Sequence, residues 1–136
     1  LALGAKTDGS AYTIGIQRPF GEENEAIASV SITDQTVVSS GVYERYFEVD
    51  GTRYHHIPDT ATGYPYDNGL LEVTIITGAS VDGDGLSTTC FSLGLEDGMA
   101  LVESLDATEA IFITDDYEVH TSSGMGTVIP YEILED

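Results

Sequence analysis

A chain of 136 residues, 41% of them hydrophobic, can bury one core, and no apolar run approaches the ~20 residues of a membrane span. Lys plus Arg number 4 against 24 Asp plus Glu, a formal net charge of −20 that argues against nucleic acid and anionic lipid as partners. The single cysteine, Cys90, rules out an internal disulfide and sits in an apolar run that suits a small core residue better than a nucleophile. Most of the carboxylates read as a solvated exterior, leaving a few for cation binding. The chain opens on Leu1 with no Met and no visible signal peptide, in Leu-Ala-Leu-Gly, which reads like the middle of a strand. The expectation is a piece of a longer protein, with any targeting segment elsewhere.

The first half reads as strands joined by turns. Tyr12 to Gln17 alternates after the Asp8-Gly9 turn, and Gly21 to Asn24 is an acidic loop. Ala26 to Ile32 puts Ala26, Ala28, Val30 and Ile32 on one face of a second strand. Thr36 to Ser39 is short and β-branched. Tyr43 to Val49 and Thr52 to Ile57 flank Asp50-Gly51, a strong hairpin signal. Leu70 to Thr77 is apolar almost throughout, which predicts a central strand. The second half changes character. Leu86, Thr89, Cys90 and Leu93 fall at helical spacing from about Asp84 to Leu93, with Gly94 to close the helix. A second helix is predicted from about Glu96 through Glu103. Ala110 to Thr114 and Glu118 to Thr121 make a closing hairpin. Ser122 to Asp136 reads as a loop plus an extra edge strand, of no assigned role. Strands early and helices late predict an α+β fold with an antiparallel sheet and two helices in the second half.

Three groups carry chemistry. In Val81-Asp82-Gly83-Asp84-Gly85-Leu86-Ser87-Thr88-Thr89, Asp84 and Thr88 share a helical face. A carboxylate and a hydroxyl aligned at a helix start are hard oxygen ligands for Mg²⁺ or Ca²⁺, and the helix N-terminus favours phosphate. Helix capping by Asp82 or Asp84 explains the same residues, and from spacing alone it is the stronger reading. Next, His55 and His56 end a strand beside a turn rich in Asp, Thr, Gly and Pro, so they point to opposite faces. A solvent histidine with a structural one is the plain reading, proton transfer at one of them the functional reading. Zinc is weakly supported, because no other His or Cys stands at finger spacing. His120 reads as an exposed hairpin residue. Finally, Arg45, flanked by Tyr43 and Tyr46, can clamp a phosphate, stack on a ring, or simply pair with one of many carboxylates. No P-loop, dinucleotide fingerprint or serine elbow is present.

These segments share an order. Ser40-Gly41-Val42-Tyr43-Glu44-Arg45-Tyr46-Phe47, then His56-Ile57-Pro58-Asp59-Thr60-Ala61-Thr62-Gly63-Tyr64-Pro65, then Asp84-Gly85-Leu86-Ser87-Thr88, resemble in register the motifs of the ApbE family, the FAD:protein FMN transferases. The resemblance runs from Leu1 to about Thr121. It implies a T-fold-like α+β architecture, with residues 1–136 forming one domain, the C-terminal portion of an enzyme roughly twice as long. It implies Mg²⁺-dependent transfer of FMN from FAD to a threonine hydroxyl of a target flavoprotein, with release of AMP. Asp84 and Thr88 match the metal ligands, and His56 the histidine near the transferred phosphate, placed to take the threonine proton. Gly41, Tyr43, Arg45, Asp59, Thr62, Gly63 and Ser87 match positions around the flavin substrate. Val42 stands where many members carry Asp, Thr60 where Pro is common, and Gly85 where Ala is common. A Gly-Gly segment is expected just before Leu1. Such proteins are extracytoplasmic, membrane-associated only through a lipid anchor outside this chain. The rival readings are a flavin- or metal-binding module without transferase activity, a metal-dependent FAD pyrophosphatase, and a purely structural domain.

Overall fold

The computed structural model describes residue 2 and residues 4–134. Its elements run β1 (Tyr12–Gln17), β2 (Ala26–Ile32), β3 (Thr36–Gly41), β4 (Tyr46–Val49), β5 (Thr52–His55), β6 (Leu70–Thr77), α1 (Ser80–Glu103), β7 (Glu109–Thr114), β8 (Val119–Thr121) and β9 (Tyr131–Ile133). The strands pair antiparallel and form three sheets, in the orders β1-β2-β9, β3-β6-β7-β8 and β4-β5. The α+β class holds, with the expected antiparallel sheet divided into three. β9 is the extra edge strand expected in the tail, laid against β2.

Alternation along β6 and β7 sets the layers, because successive strand side chains point to opposite faces. Ile76, Ile111 and Ile113 face the β1-β2-β9 sheet and join Ile16, Ala28, Val30, Ile32, Met125 and Ile129. Val73, Ile75, Ala110 and Phe112 face the other way and meet Cys90, Phe91 and Val102 of α1. The four-stranded sheet thus lies between a second sheet and a helix, with β6 between β3 and β7 as its apolar run predicts. Fully burying a side chain such as Phe91 or Phe112 contributes roughly 1.5–3 kcal/mol. Cys90 is fully buried in this layer, and burial pushes its thiol up to about 11, so it stays protonated and packs as a small apolar residue.

The β4-β5 hairpin turns on Asp50 and Gly51, both at positive φ (50° and 78°), which matches the right-handed twist of the flanking strands. Two boundaries differ from the sequence reading. β4 starts at Tyr46 rather than Tyr43, because Val42 is buried against the helix layer and the Tyr43 hydroxyl is drawn to Glu72, bending residues 42–45 into a turn. β5 stops at His55, where the Ile57 N–H folds back onto His55 Nδ1 at 3.3 Å.

The helix also corrects the expectation. It begins at Ser80, not Asp84, and its N-cap Ala79 makes no side-chain cap bond, so capping by Asp82 or Asp84 does not occur. Tertiary packing sets the start: a Cβ on Gly83 would lie 2.8 Å from Val38 Cγ2, so glycine there lets the helix sit directly on β3. The two expected helices are one stretch to Glu103, interrupted at Gly94, which takes φ 82° and ψ 179°. That conformation is essentially restricted to glycine. Nothing lies within 4 Å of a Cβ built there, so Gly94→Ala carries only the backbone cost, on the order of 1–3 kcal/mol. We expect a lower urea midpoint with an unchanged m-value. No helix among the described residues is long and apolar enough to cross a membrane.

Candidate functional site

The strand β3 delivers Ser40 onto α1. Ser40 Oγ lies 2.8 Å from Ser87 Oγ and 3.1 Å from Thr88 Oγ1. Ser87 is buried and donates its hydroxyl to the Asp84 carbonyl at 3.1 Å. Asp84 and Thr88 stay exposed, one turn apart on the same helix face. The segment containing Gly41 therefore meets the Asp84–Thr88 segment through side-chain hydroxyls. The Asp84 carboxylate and Thr88 hydroxyl form a hard oxygen donor pair that fits Mg²⁺, which keeps several of its six positions for water and substrate phosphate. Among the described residues no group of three or more His, Cys, Asp or Glu converges as a self-sufficient metal cage.

The two histidines divide their roles by geometry. His55 is half-buried. Its Nδ1 accepts the Ile57 N–H at 3.3 Å, so Nε2 carries the proton and donates to the Tyr66 carbonyl at 2.9 Å. Its ring also meets Phe91 edge-on, 5.9 Å between centroids. Both nitrogens are occupied, and His55 ties the hairpin to the helix layer. His56 is exposed. Its backbone N–H donates to the Arg45 carbonyl at 3.1 Å, and Nδ1 stands 3.3 Å from the same oxygen. A carbonyl can only accept, so this contact places the proton on Nδ1 and leaves Nε2 as a free base.

Arg45 is exposed and forms no ion pair among the described residues. It does not stack as its flanking tyrosines suggested: the cation over Tyr46, at 5.0 Å, is Arg53, which also lies 4.0 Å over Phe20. Arg45, Tyr46, Phe47, Tyr54, His55 and His56 line a cavity of about 260 Å³. Its guanidinium thus lies beside the same cavity as His56.

Asp59, Thr62 and Gly63 build a self-contained turn just after His56. Asp59 Oδ1 accepts the Ala61 N–H at 2.8 Å, Oδ2 accepts the Thr62 hydroxyl at 3.2 Å, and the Asp59 carbonyl accepts the Gly63 N–H at 2.7 Å. An Asp59–Tyr64 backbone bond of 2.8 Å closes it. These residues shape the loop first, and any substrate contact comes on top of that role. Gly41 is fixed by its neighbour: a Cβ there would stand 2.5 Å from Tyr43 Cε1. The Tyr43 hydroxyl donates to Glu72 Oε2 at 2.8 Å, and burial together with Glu72 pushes that phenol far above its ordinary range.

The structure thus brings Gly41, Ser87, Asp84 and Thr88 together on one side and Arg45 and His56 on the other, while the Asp59–Gly63 turn follows His56 in the chain and bonds within itself. No hydrogen bond links the two sides among the described residues. Two participants escape the sequence reading. Ser40 lies inside the quoted motif, but its contacts reach 47 and 48 residues along the chain. Glu72 had a visible flag, a lone carboxyl within Leu-Leu-Glu-Val-Thr-Ile-Ile-Thr.

The chain matches the model of the ApbE family over residues 1–112. It is 46% identical over 112 residues to a FAD:protein FMN transferase of Klebsiella pneumoniae (strain 342), covering 82% of this chain and 35% of that protein. It is 42% identical over 114 residues to the FAD:protein FMN transferase of Treponema pallidum (strain Nichols), covering 84% and 32%. Among solved structures, the ApbE protein of Thermotoga maritima superposes with a TM-score of 0.77 at 34% identity, over 88% of this chain and 38% of that one. The apo flavinyl transferase ApbE of Pseudomonas stutzeri gives 0.69 at 33% identity, over 90% and 38%. The chain spans about a third of the length of these curated relatives. A family match over most of the sequence, and a fold shared with those structures, establish that this chain belongs to the ApbE family.

Proposed function

We propose that this chain is the C-terminal, catalysis-bearing portion of an FMN transferase. Its substrates are FAD and a threonine hydroxyl on a target flavoprotein. The threonine Oγ attacks the phosphorus of the FMN half of FAD, the bond from that phosphorus to the bridging oxygen breaks, and AMP leaves. The threonine proton passes to His56 Nε2. The Arg45 carbonyl holds the His56 ring in the tautomer that leaves Nε2 basic, and the Arg45 guanidinium offers positive charge beside the same cavity. Ser40 and Ser87 hold the Thr88 side of the site against β3. Mg²⁺ held by the Asp84 carboxylate and the Thr88 hydroxyl would supply charge neutralisation on the phosphate.

The observation that carries this reading is the free Nε2 of His56, oriented from behind by the Arg45 carbonyl, in a chain whose relatives are named FAD:protein FMN transferase. The test is incubation of the full-length protein with FAD, Mg²⁺ and a target flavoprotein. Covalent flavin on the target, retained through denaturing electrophoresis and accompanied by one AMP per flavin, is expected. AMP without flavinylation would replace the transferase reading with hydrolysis by water.

A further inference from the structure

Glu72 is the one carboxyl sealed inside the four-stranded sheet among the described residues, 1% exposed between neighbours that are almost all apolar. Burying it is costly, and a β-branched apolar residue would suit that strand position better for stability alone. Its partners are specific. Glu72 Oε2 accepts the Tyr43 hydroxyl at 2.8 Å, and Oε1 accepts the Thr74 hydroxyl at 2.9 Å. Thr74 in turn lies 2.8 Å from Ser39 Oγ on the paired strand. Burial raises the Glu72 pKa above its ordinary range, opposed by the bonds from Tyr43, Ser39 and Thr74.

The other end of this chain of bonds is the turn at residues 42–45. Val42 N–H donates to the Leu71 carbonyl at 3.0 Å, and Tyr43 is held by Glu72, so β6 grips two consecutive residues of the turn. Two residues further on, the Arg45 carbonyl accepts both the backbone N–H and the Nδ1 side of His56. The Tyr43 ring also meets Phe20 edge-on at 6.0 Å, and Phe20 carries Arg53 of β5 at 4.0 Å. Both routes run from Glu72 to the hairpin that immediately precedes His56.

We propose that Glu72 is a positioning residue for His56, acting through Tyr43 and the turn that presents the Arg45 carbonyl. The inference rests on reading His56 as the proton acceptor, but its geometric content can be measured without any turnover. Three variants of the full-length protein test it. Glu72→Gln keeps the shape, an acceptor for Tyr43 and a donor for Thr74. Glu72→Leu removes both bonds. Tyr43→Phe keeps the ring and removes only the hydroxyl, and it serves if the leucine variant fails to fold.

The first readout is the ¹⁵N shift pair of the His56 ring, which reports which nitrogen carries the proton. The wild type and Glu72→Gln are expected to show the Nδ1–H form, and Tyr43→Phe and Glu72→Leu a mixture of tautomers. The second is flavin transfer: kcat about tenfold lower in Tyr43→Phe and Glu72→Leu, the KM for FAD unchanged in Glu72→Leu, and near-complete rescue in Glu72→Gln. An unaltered His56 tautomer in Tyr43→Phe would overturn the proposal, and so would a loss confined to KM or to melting temperature. Should the wild-type protein transfer no flavin, the functional reading fails, while the ring shifts still decide whether Glu72 positions His56.

Discussion

Asp84→Ala in the full-length protein is expected to lower flavin transfer on the order of a thousandfold while leaving the fold in place. The magnitude follows from removing an anionic oxygen donor from a site where charge stabilisation is worth several kcal/mol, each ~1.4 kcal/mol being tenfold in rate. The stability expectation follows from exposure: the Asp84 side chain is solvent-facing, beyond the first turn of α1, and caps nothing. Thr88→Ser, which keeps the oxygen and its reach toward Ser40 Oγ, should retain most activity. Single-turnover transfer against Mg²⁺ concentration checks both, and Asp84→Ala should need far more Mg²⁺ for any residual rate. Wild-type rates for Asp84→Ala at every Mg²⁺ concentration would remove Asp84 from the metal site.

The second large effect belongs to His56. His56→Ala should slow transfer about 10²–10⁴-fold, the usual worth of a general base. His55→Ala makes the contrast. Its ring donates to the Tyr66 carbonyl, accepts from Ile57 and packs on Phe91, so it should lose stability at about 1 kcal/mol for each hydrogen bond. Its effect on rate should follow from looser attachment of the hairpin. Single-turnover rates and a thermal melt of the two variants separate these cases. Equal rate losses with equal destabilisation would mean that neither ring handles the proton.

The parts of the fold readable from the sequence are those whose cause is local. β2 and β6 carry their burial in their own patterns, and Asp50-Gly51 dictates its turn. The start of α1 is not local. Ser80 to Gly83 shows no apolar periodicity, Val81 is 78% exposed, and the helix begins there because Gly83 allows contact with Val38. The turn at residues 42–45 imitates a strand because Val42 and Tyr43 are good strand residues. The carboxyl that bends it away is Glu72, 29 residues on from Tyr43. The same division holds at the site. The shared face of Asp84 and Thr88 follows from helical spacing, and the separation of His55 from His56 follows from strand alternation. The tautomer of His56 and the Ser40–Thr88 contact depend on bonds that no spacing rule encodes.

The β4-β5 hairpin stands apart from both larger sheets, with four cross-strand pairs of its own. Phe47 is 62% exposed and Val49 50%, so its outer face is closed by little more than the stacking of Phe47 on Tyr54. A two-stranded hairpin is marginal on its own in water. Side-chain contacts, not a shared sheet, hold it to the rest of the chain: His55 donates to the Tyr66 carbonyl and meets Phe91, and Arg53 lies over Phe20. Arg45 and His56 sit at the root of that hairpin, so their placement depends on a few side-chain anchors, whereas Asp84 and Thr88 are carried by a helix packed on the four-stranded sheet.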